Sequence, residues 1–248
     1  MRIRSFLVVA AVLALQGSAL VGTPEASPVA ARSSAPLIDD AASAVALPER
    51  GDQFQTRPVP PPSGPPPCER VIVVGDSLTD NARWWLNQGL RTTGFTQLVD
   101  AHHSRRIPAS VRAPYSGVTA ALGIRATWGE ASCWVVALGS NDLVHGANTP
   151  ATVNAVLNEM LEVVSPGAHV WWVNVDYHRD PGTSFDFGGA TAVFNAELDA
   201  RATSDPRLHV IDWYTYAEAN RHWFFDPVHV NRIGSIARAN QIVEALPR

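Results

Sequence analysis

The chain has 248 residues, 46% of them hydrophobic and 17% charged, with 19 prolines and 2 cysteines. This composition excludes collagen-like, coiled-coil and wholly disordered classes. Every one of the 19 basic residues is Arg, and 23 acidic residues leave a formal charge of -4, so there is no basic field for nucleic acid.

The N-terminus has the order of an export signal. Arg2 and Arg4 precede an apolar run from Phe6 to Leu15, and the small residues Ala19, Ala26, Ala30 and Ala31 follow. The run is short for a membrane span of about 20 residues, which predicts a signal peptide over residues 1–31; an uncleaved anchor is the alternative. No cysteine lies near the cleavage region, which excludes a lipoprotein anchor. Loss of Arg2, Arg4 and Glu25 with this segment leaves 17 basic and 22 acidic residues, a charge of -5. Residues 32–67 are rich in Ala, Ser and Pro and end in Arg57 to Pro67, where prolines favour extended polyproline II. They read as a linker, an inert spacer rather than a recognition ligand. The globular domain then covers residues 68–248, long enough for one sizeable core.

Within that domain five short β-rich runs lack strict alternation: Arg70 to Val74, Gln97 to Ala101, Trp134 to Leu138, Val170 to Val175 and Leu208 to Asp212. Such runs predict strands buried on both faces. Between Thr149 and Val164, apolar residues recur every three or four positions (Val153, Val156, Leu157, Met160, Leu161), with Thr149 placed to cap and Pro150 in the first turn. A second helix is predicted over Asn231 to Leu246, with Ile233, Ile236, Ala237 and Val243 on its apolar face and Asn240 interrupting the stripe. Strands alternating with helical stretches imply an α/β domain, a three-layer, doubly wound, five-stranded parallel sheet. In such sheets ligands bind at the carboxyl ends of the strands.

Three islands fall at or near those ends. The first is Gly75-Asp76-Ser77-Leu78-Thr79, the second Gly139-Ser140-Asn141-Asp142, and the third Asp226-Pro227-Val228-His229. A serine hydroxyl becomes a useful nucleophile when an imidazole takes its proton, so Ser77 and His229 form the candidate pair. Asp226, three residues before His229, is near enough to hold the imidazole tautomer. Gly75 would let the chain turn sharply into a helix carrying Trp84 and Trp85, whose N-terminus favours a developing oxyanion near Ser77. Asn141 could donate its side-chain amide to that oxyanion. The blander roles are a helix-capping serine, a turn aspartate before proline, a surface histidine and an Asx-turn asparagine.

With these islands in this order, the chain from Cys68 to Arg248 resembles the SGNH hydrolases, also called the GDSL esterase family. The resemblance implies the flavodoxin-like SGNH hydrolase fold, with Ser77 as nucleophile, Asn141 in the oxyanion hole, and Asp226 and His229 completing a catalytic triad. One departure stands out. The family usually has a glycine soon after the second strand, whose N–H completes the oxyanion hole together with that of the nucleophile. Here the strand runs into His102-His103-Ser104-Arg105-Arg106, with Ser104 in the expected place and Gly117 as the alternative donor. The resemblance also sets the first and third strands side by side. Cys68 lies just before one and Cys133 just before the other, so that arrangement implies a Cys68–Cys133 disulfide at the end opposite the site, as suits an exported protein; two free thiols are the alternative.

Other features read more plainly. Adjacent His102 and His103 diverge in an extended segment, and no metal-ligand spacing surrounds them, so neither a metal nor another cofactor is expected. Arg105 and Arg106 read as a solvated loop, with contact to a charged substrate as the alternative. Trp171 and Trp172 belong in the core, whereas Trp84, Trp85 and Trp223 lie nearer the islands and could form a sugar or acyl platform. The stretches Val99-Asp100-Ala101 and Trp223-Phe224-Phe225-Asp226 look similar to SGNH domains acting on acylated cell-surface carbohydrates. The implied activity is an exported, secreted or envelope-associated esterase on O-acetyl or short-acyl carbohydrate esters, with no nucleic-acid partner. An acyltransferase to a sugar acceptor and a non-catalytic carbohydrate-binding domain are the alternatives.

Overall fold

In the computed structural model of the chain, residues 68–177 and 185–248 are described. The predicted signal segment 1–31 and linker 32–67 lie outside them. Five strands pair in parallel: β1 (Arg70–Gly75), β2 (Thr96–Ala101), β3 (Cys133–Ala137), β4 (His169–Val173) and β5 (Leu208–Ile211), in the order β2-β1-β3-β4-β5. Each expected run is a strand, with ends shifted by a residue or two. β3 and the end of β1 are buried throughout, because helices cover both faces of the central sheet. The edge strands β2 and β5 are only partly buried, contrary to the expectation of full burial for all five.

The helices are α1 (Ser77–Thr92), α2 (Gly117–Trp128), α3 (Ser140–Leu143), α4 (Pro150–Val163), α5 (Phe187–Ser204), α6 (Trp213–Glu218) and α7 (Arg232–Ala245), with a 3-10 turn at Arg221–Trp223. Alternate strand residues divide the core in two. Ile72, Val74, Trp134 and Trp172 face a cluster that includes Ile124 of α2, Leu157 of α4 and Phe194 of α5. Val71, Val73, Val135 and Trp171 face one built with Leu86 of α1 and Ile242 of α7. The result is the three-layer arrangement expected from the sequence. Thr149 caps α4 as expected, its hydroxyl accepting from the Thr152 N–H at 3.3 Å.

Helix α7 exists where it was predicted, and Val243 is buried and Ala237 partly buried as expected, but the inward face is rotated from the predicted stripe. Ile233 is 62% exposed, and Gly234, Ser235, Arg238, Ala239, Ile242 and Val243 turn inward. The reason is close packing of α1 on α7: a Cβ on Gly89 would come within 2.8 Å of Val243, so a glycine on α1 makes room for the side chains that α7 turns inward. Cys68 and Cys133 are joined by a disulfide with their Cα atoms 5.4 Å apart. It lies at the amino ends of β1 and β3, the end of the sheet away from the three islands. Closing a loop with a sequence separation of 65 contributes about 4 kcal/mol on the chain-entropy account of disulfides.

Candidate active site

The position of Ser77, the candidate nucleophile, follows from how the first strand passes into the first helix. Asp76, not Ser77, caps α1, its carboxylate accepting from the Leu78 N–H at 3.0 Å. Ser77 is therefore the first helical residue, with its hydroxyl free for other work. Gly75 is not in a left-handed conformation, so a sharp turn is not why glycine stands there. A Cβ at that position would come within 2.4 Å of the Thr79 Cβ; the glycine provides room for the first helical turn against the strand end.

Ser77 Oγ lies 2.9 Å from His229 Nε2, and His229 Nδ1 lies 2.7 Å from Asp226 Oδ2. The loop between Asp226 and His229 is shaped by its own carboxylate. Asp226 Oδ1 accepts the backbone N–H groups of Val228 at 2.8 Å and His229 at 2.6 Å, leaving Oδ2 for the imidazole. Partial burial alone would raise the Asp226 pKa, but the two amides and the imidazole outweigh it and hold the group below the ordinary carboxylate value. The carboxylate therefore remains charged beside the ring. Asn231 then caps α7, accepting from Ile233 and Gly234. Phe225 lies nearly parallel to the His229 ring, centroids 6.0 Å apart, and is 68% exposed.

The opposite side of the site is the loop after β2. Ser104 is exposed and has a φ of 57°, the one non-glycine residue in the left-handed region among the described residues. That conformation favours glycine, so the serine holds it at some conformational cost. Among the described residues the Ser104 N–H donates no hydrogen bond within the protein. Gly117 differs. Its N–H donates to the Arg106 carbonyl at 2.7 Å, so this amide is already occupied and Gly117 is corrected from a candidate oxyanion donor to a packing residue. A Cβ there would lie 2.4 Å from Leu138 Cδ1.

Asn141 donates one side-chain N–H to the Arg105 carbonyl at 3.1 Å. An amide has two such hydrogens, so a second donor remains. Asp142, beside it, is fully buried and accepts the Ile107 N–H on both oxygens, at 3.1 and 3.2 Å. Burial pushes its carboxyl up to about 7 despite that hydrogen bond and the Arg106 guanidinium. Neighbouring residues of α3 thus tie down the two ends of the Arg105–Ile107 segment. Gly139 at φ 132° starts this helix, and a Cβ there would meet Phe194 and Val175.

The solvated reading of Arg105 is overturned, and Trp223 is removed from the possible platform. Arg105 is 2% exposed, not solvated. Its Nε donates to the Pro114 carbonyl at 3.0 Å, Nη1 to the Asp100 carbonyl at 3.0 Å and Nη2 to the Asp100 carboxylate at 3.2 Å, so it braces the loop and cannot reach a substrate. Trp223 is 7% exposed and packs on Trp213 and Tyr216, which removes it from any platform. Trp171 and Trp172 are core residues as expected. The two adjacent histidines do diverge: His102 meets the Tyr115 ring edge-on, whereas His103 Nε2 lies 2.9 Å from Asp80 Oδ2 on α1. The bracing by Arg105 and Asp142 was missed in the sequence. Its only trace there is an aspartate directly after Asn141, and a single acidic residue does not announce which distant amide it meets.

No protein-family model and no curated protein matches the sequence. Solved structures do match the fold. A lipolytic G-D-S-L family member from Veillonella parvula has a TM-score of 0.57 at 19% identity, over 71% of this chain and 97% of that one. The C-terminal catalytic domain of the peptidoglycan O-acetyltransferase A of Streptococcus pneumoniae has a TM-score of 0.55 at 18% identity, over 71% and 92%. A carbohydrate acetylesterase family member from Sinorhizobium meliloti has a TM-score of 0.52 at 16% identity, over 71% and 96%. Parallel sheet, covering helices and the islands at the strand ends place the chain in the three-layer α/β class. Its fold, more narrowly, is that of the SGNH or GDSL hydrolases.

Proposed function

We propose that the chain is an exported serine esterase that removes O-acetyl or short acyl groups from carbohydrate. The observation that carries this reading is the continuous line Ser77–His229–Asp226, at 2.9 and 2.7 Å, at the N-terminus of α1. In this mechanism Ser77 Oγ attacks the ester carbonyl carbon while His229 Nε2 takes its proton. The carbonyl oxygen becomes an oxyanion held by the free Asn141 N–H and by the backbone N–H groups of Ser77 and Ser104. Collapse of this intermediate breaks the bond to the alcohol, which leaves with the proton returned by His229. Water then attacks the acyl-serine, again giving its proton to His229, and the acyl–Oγ bond breaks as His229 returns that proton to Ser77 Oγ and the carboxylic acid departs. Asp226 keeps Nδ1 protonated so that Nε2 can accept.

The carbohydrate part of the proposal draws on neighbours described as acetyl xylan esterase, carbohydrate acetylesterase and peptidoglycan O-acetyltransferase. Export draws on the N-terminal signal pattern and on the Cys68–Cys133 disulfide, a bond that persists in oxidising compartments. Among the described residues no helix is long and apolar enough to cross a membrane. The transferase neighbour favours a second reading, in which a sugar hydroxyl takes the place of water in the second step.

The test is hydrolysis of p-nitrophenyl esters of increasing chain length and of acetylated polysaccharides, with and without acceptor sugar. An esterase releases acetate at a rate independent of acceptor, and release falls as the acyl chain lengthens. Acyl transfer that outruns release when acceptor is added supports the second reading. Failure of a covalent serine probe to label Ser77 would leave the non-catalytic binding domain.

A further inference from the structure

The first helix carries a feature that ester cleavage at Ser77 does not use. With 3.6 residues per turn, Ser77, Asn81, Trp84 and Gln88 fall on one face of α1, while Leu78, Ala82, Leu86 and Leu90 fall on the other and are buried. Trp84 is 65% exposed on the outward face. A tryptophan is highly buried on average, and nothing of the core covers this one. Its position is nevertheless defined. Trp85 meets it edge-on, ring centroids 5.9 Å apart at 83°, and the guanidinium of Arg232 sits over the Trp85 ring at 5.8 Å. Arg232 begins α7, three residues beyond His229, so Trp85, the ring against which Trp84 stands, is contacted from the same segment that carries the imidazole.

Around Trp84 lies a shallow cleft of about 560 Å³, lined also by Trp85, by the amides of Asn81, Asn87 and Gln88, and by the charged Asp80, Arg83 and Arg91. Its upper end is tied to the oxyanion side of the site, because Asp80 pairs with Arg83 at 2.8 Å and with His103, next to Ser104, at 2.9 Å. Resting on the esterase reading above, we infer that this face of α1 is a glycan subsite, with Trp84 as the stacking platform for the sugar chain that bears the scissile ester.

The lining selects this ligand class. A sugar ring presents an apolar C–H face and a rim of hydroxyl groups, which matches the exposed Trp84 indole, with Trp85 beside it, among amide, carboxylate and guanidinium groups. An acyl chain or a lipid surface would call for one continuous apolar face, whereas the two indoles of the cleft stand edge-on at 83°. The distance matters as well. Trp84 lies seven residues, about 10 Å, along the helix axis from Ser77, a reach that a chain of sugars spans from the reacting ester and a p-nitrophenyl ester does not. The platform therefore acts on polymeric substrate.

The experiment compares kcat/KM on acetylated xylan with kcat/KM on p-nitrophenyl acetate in the full chain and in Trp84→Ala, Trp84→Phe and Leu122→Ala variants. Leu122 is a 48% exposed apolar residue on α2 and serves as control. The xylan-to-small-ester ratio is expected to fall about tenfold in Trp84→Ala, the effect of losing roughly one good stacking contact. It should recover in part in Trp84→Phe and stay at the parent value in Leu122→Ala. A ratio within twofold of the parent in Trp84→Ala, or a proportional loss on both substrates, overturns the subsite. Calorimetric titration of the Ser77→Ala protein with unacetylated xylohexaose and N-acetylglucosamine hexamer separates the two proposals, because it needs no catalysis. Binding weakened about tenfold by adding Trp84→Ala supports the subsite even if no ester is cleaved, and no binding of either sugar by the Ser77→Ala protein refutes it.

Discussion

The two sides of the candidate site are held in place by different means. On the Asp226–His229 side the geometry is local: one carboxylate oxygen takes the amides two and three residues on, and the other takes the imidazole. On the oxyanion side almost nothing is local. Arg105 reaches back to Asp100 and Gly75 and forward to Pro114, Asn141 holds the Arg105 carbonyl from 36 residues away, and Asp142 holds the Ile107 amide across 35. A loop that builds its own shape withstands change elsewhere in the protein. A loop pinned from distant strands inherits any disturbance of the sheet ends. The proposed proton-transfer side therefore depends on its own side chains, and the proposed oxyanion side on the buried Arg105 and Asp142.

The sharpest break of this contrast comes from the local side. Ser77→Ala and His229→Ala are each expected to lower ester hydrolysis by at least about 10³-fold with unchanged circular dichroism, and the double variant should lose little more, since such residues act as a unit. More than a tenth of parent turnover in Ser77→Ala would remove it from the nucleophile role. Next comes the donor on the opposite side. Asn141→Ala should lower kcat by about 10²- to 10³-fold with a smaller change in KM, as for loss of one oxyanion donor; a change confined to KM would make Asn141 a binding residue only.

The third comparison concerns the pinning charge. The Asp142 carboxyl titrates at about 7 in the folded chain and at about 3.9 when unfolded. The folded state thus binds the extra proton between these values, and the associated stability is fully present below pH 4 and lost as pH rises through 7. Asp142→Asn keeps an acceptor for the Ile107 amide without this titration. From pH 4 to pH 8 its stability should improve relative to the parent by on the order of 3 kcal/mol, read from urea midpoints; parallel pH curves for the two proteins would contradict the buried-carboxyl assignment. The smallest effect is expected at Ser104. Ser104→Gly relieves the left-handed backbone at φ 57° while adding unfolded-state freedom, so stability should move by less than about 1 kcal/mol. The rate should stay within about threefold, because the donor is a backbone amide. A loss as large as that in Asn141→Ala would show that the serine hydroxyl itself is used.

The amino-acid sequence by itself determined the five strands, the parallel α/β class, the α4 cap at Thr149 and the pairing of Asp226 with His229. These depend on local period, on capping preference and on a three-residue spacing, all carried by neighbouring residues. The Cys68–Cys133 bridge followed from the arrangement of the first and third strands that the family resemblance implied, and those strands do pair. Tertiary structure alone decided the rest. Whether Arg105 is solvated or buried depends on the carbonyls at the ends of β1 and β2, and which face of α7 turns inward depends on how closely α1 approaches it. Gly117 and Trp223 were set aside because a distant carbonyl takes the N–H of one and aromatic rings of α6 cover the other. A one-dimensional pattern records what each residue prefers, whereas burial and hydrogen-bond partners belong to pairs of residues far apart in the chain, and only packing brings those pairs together.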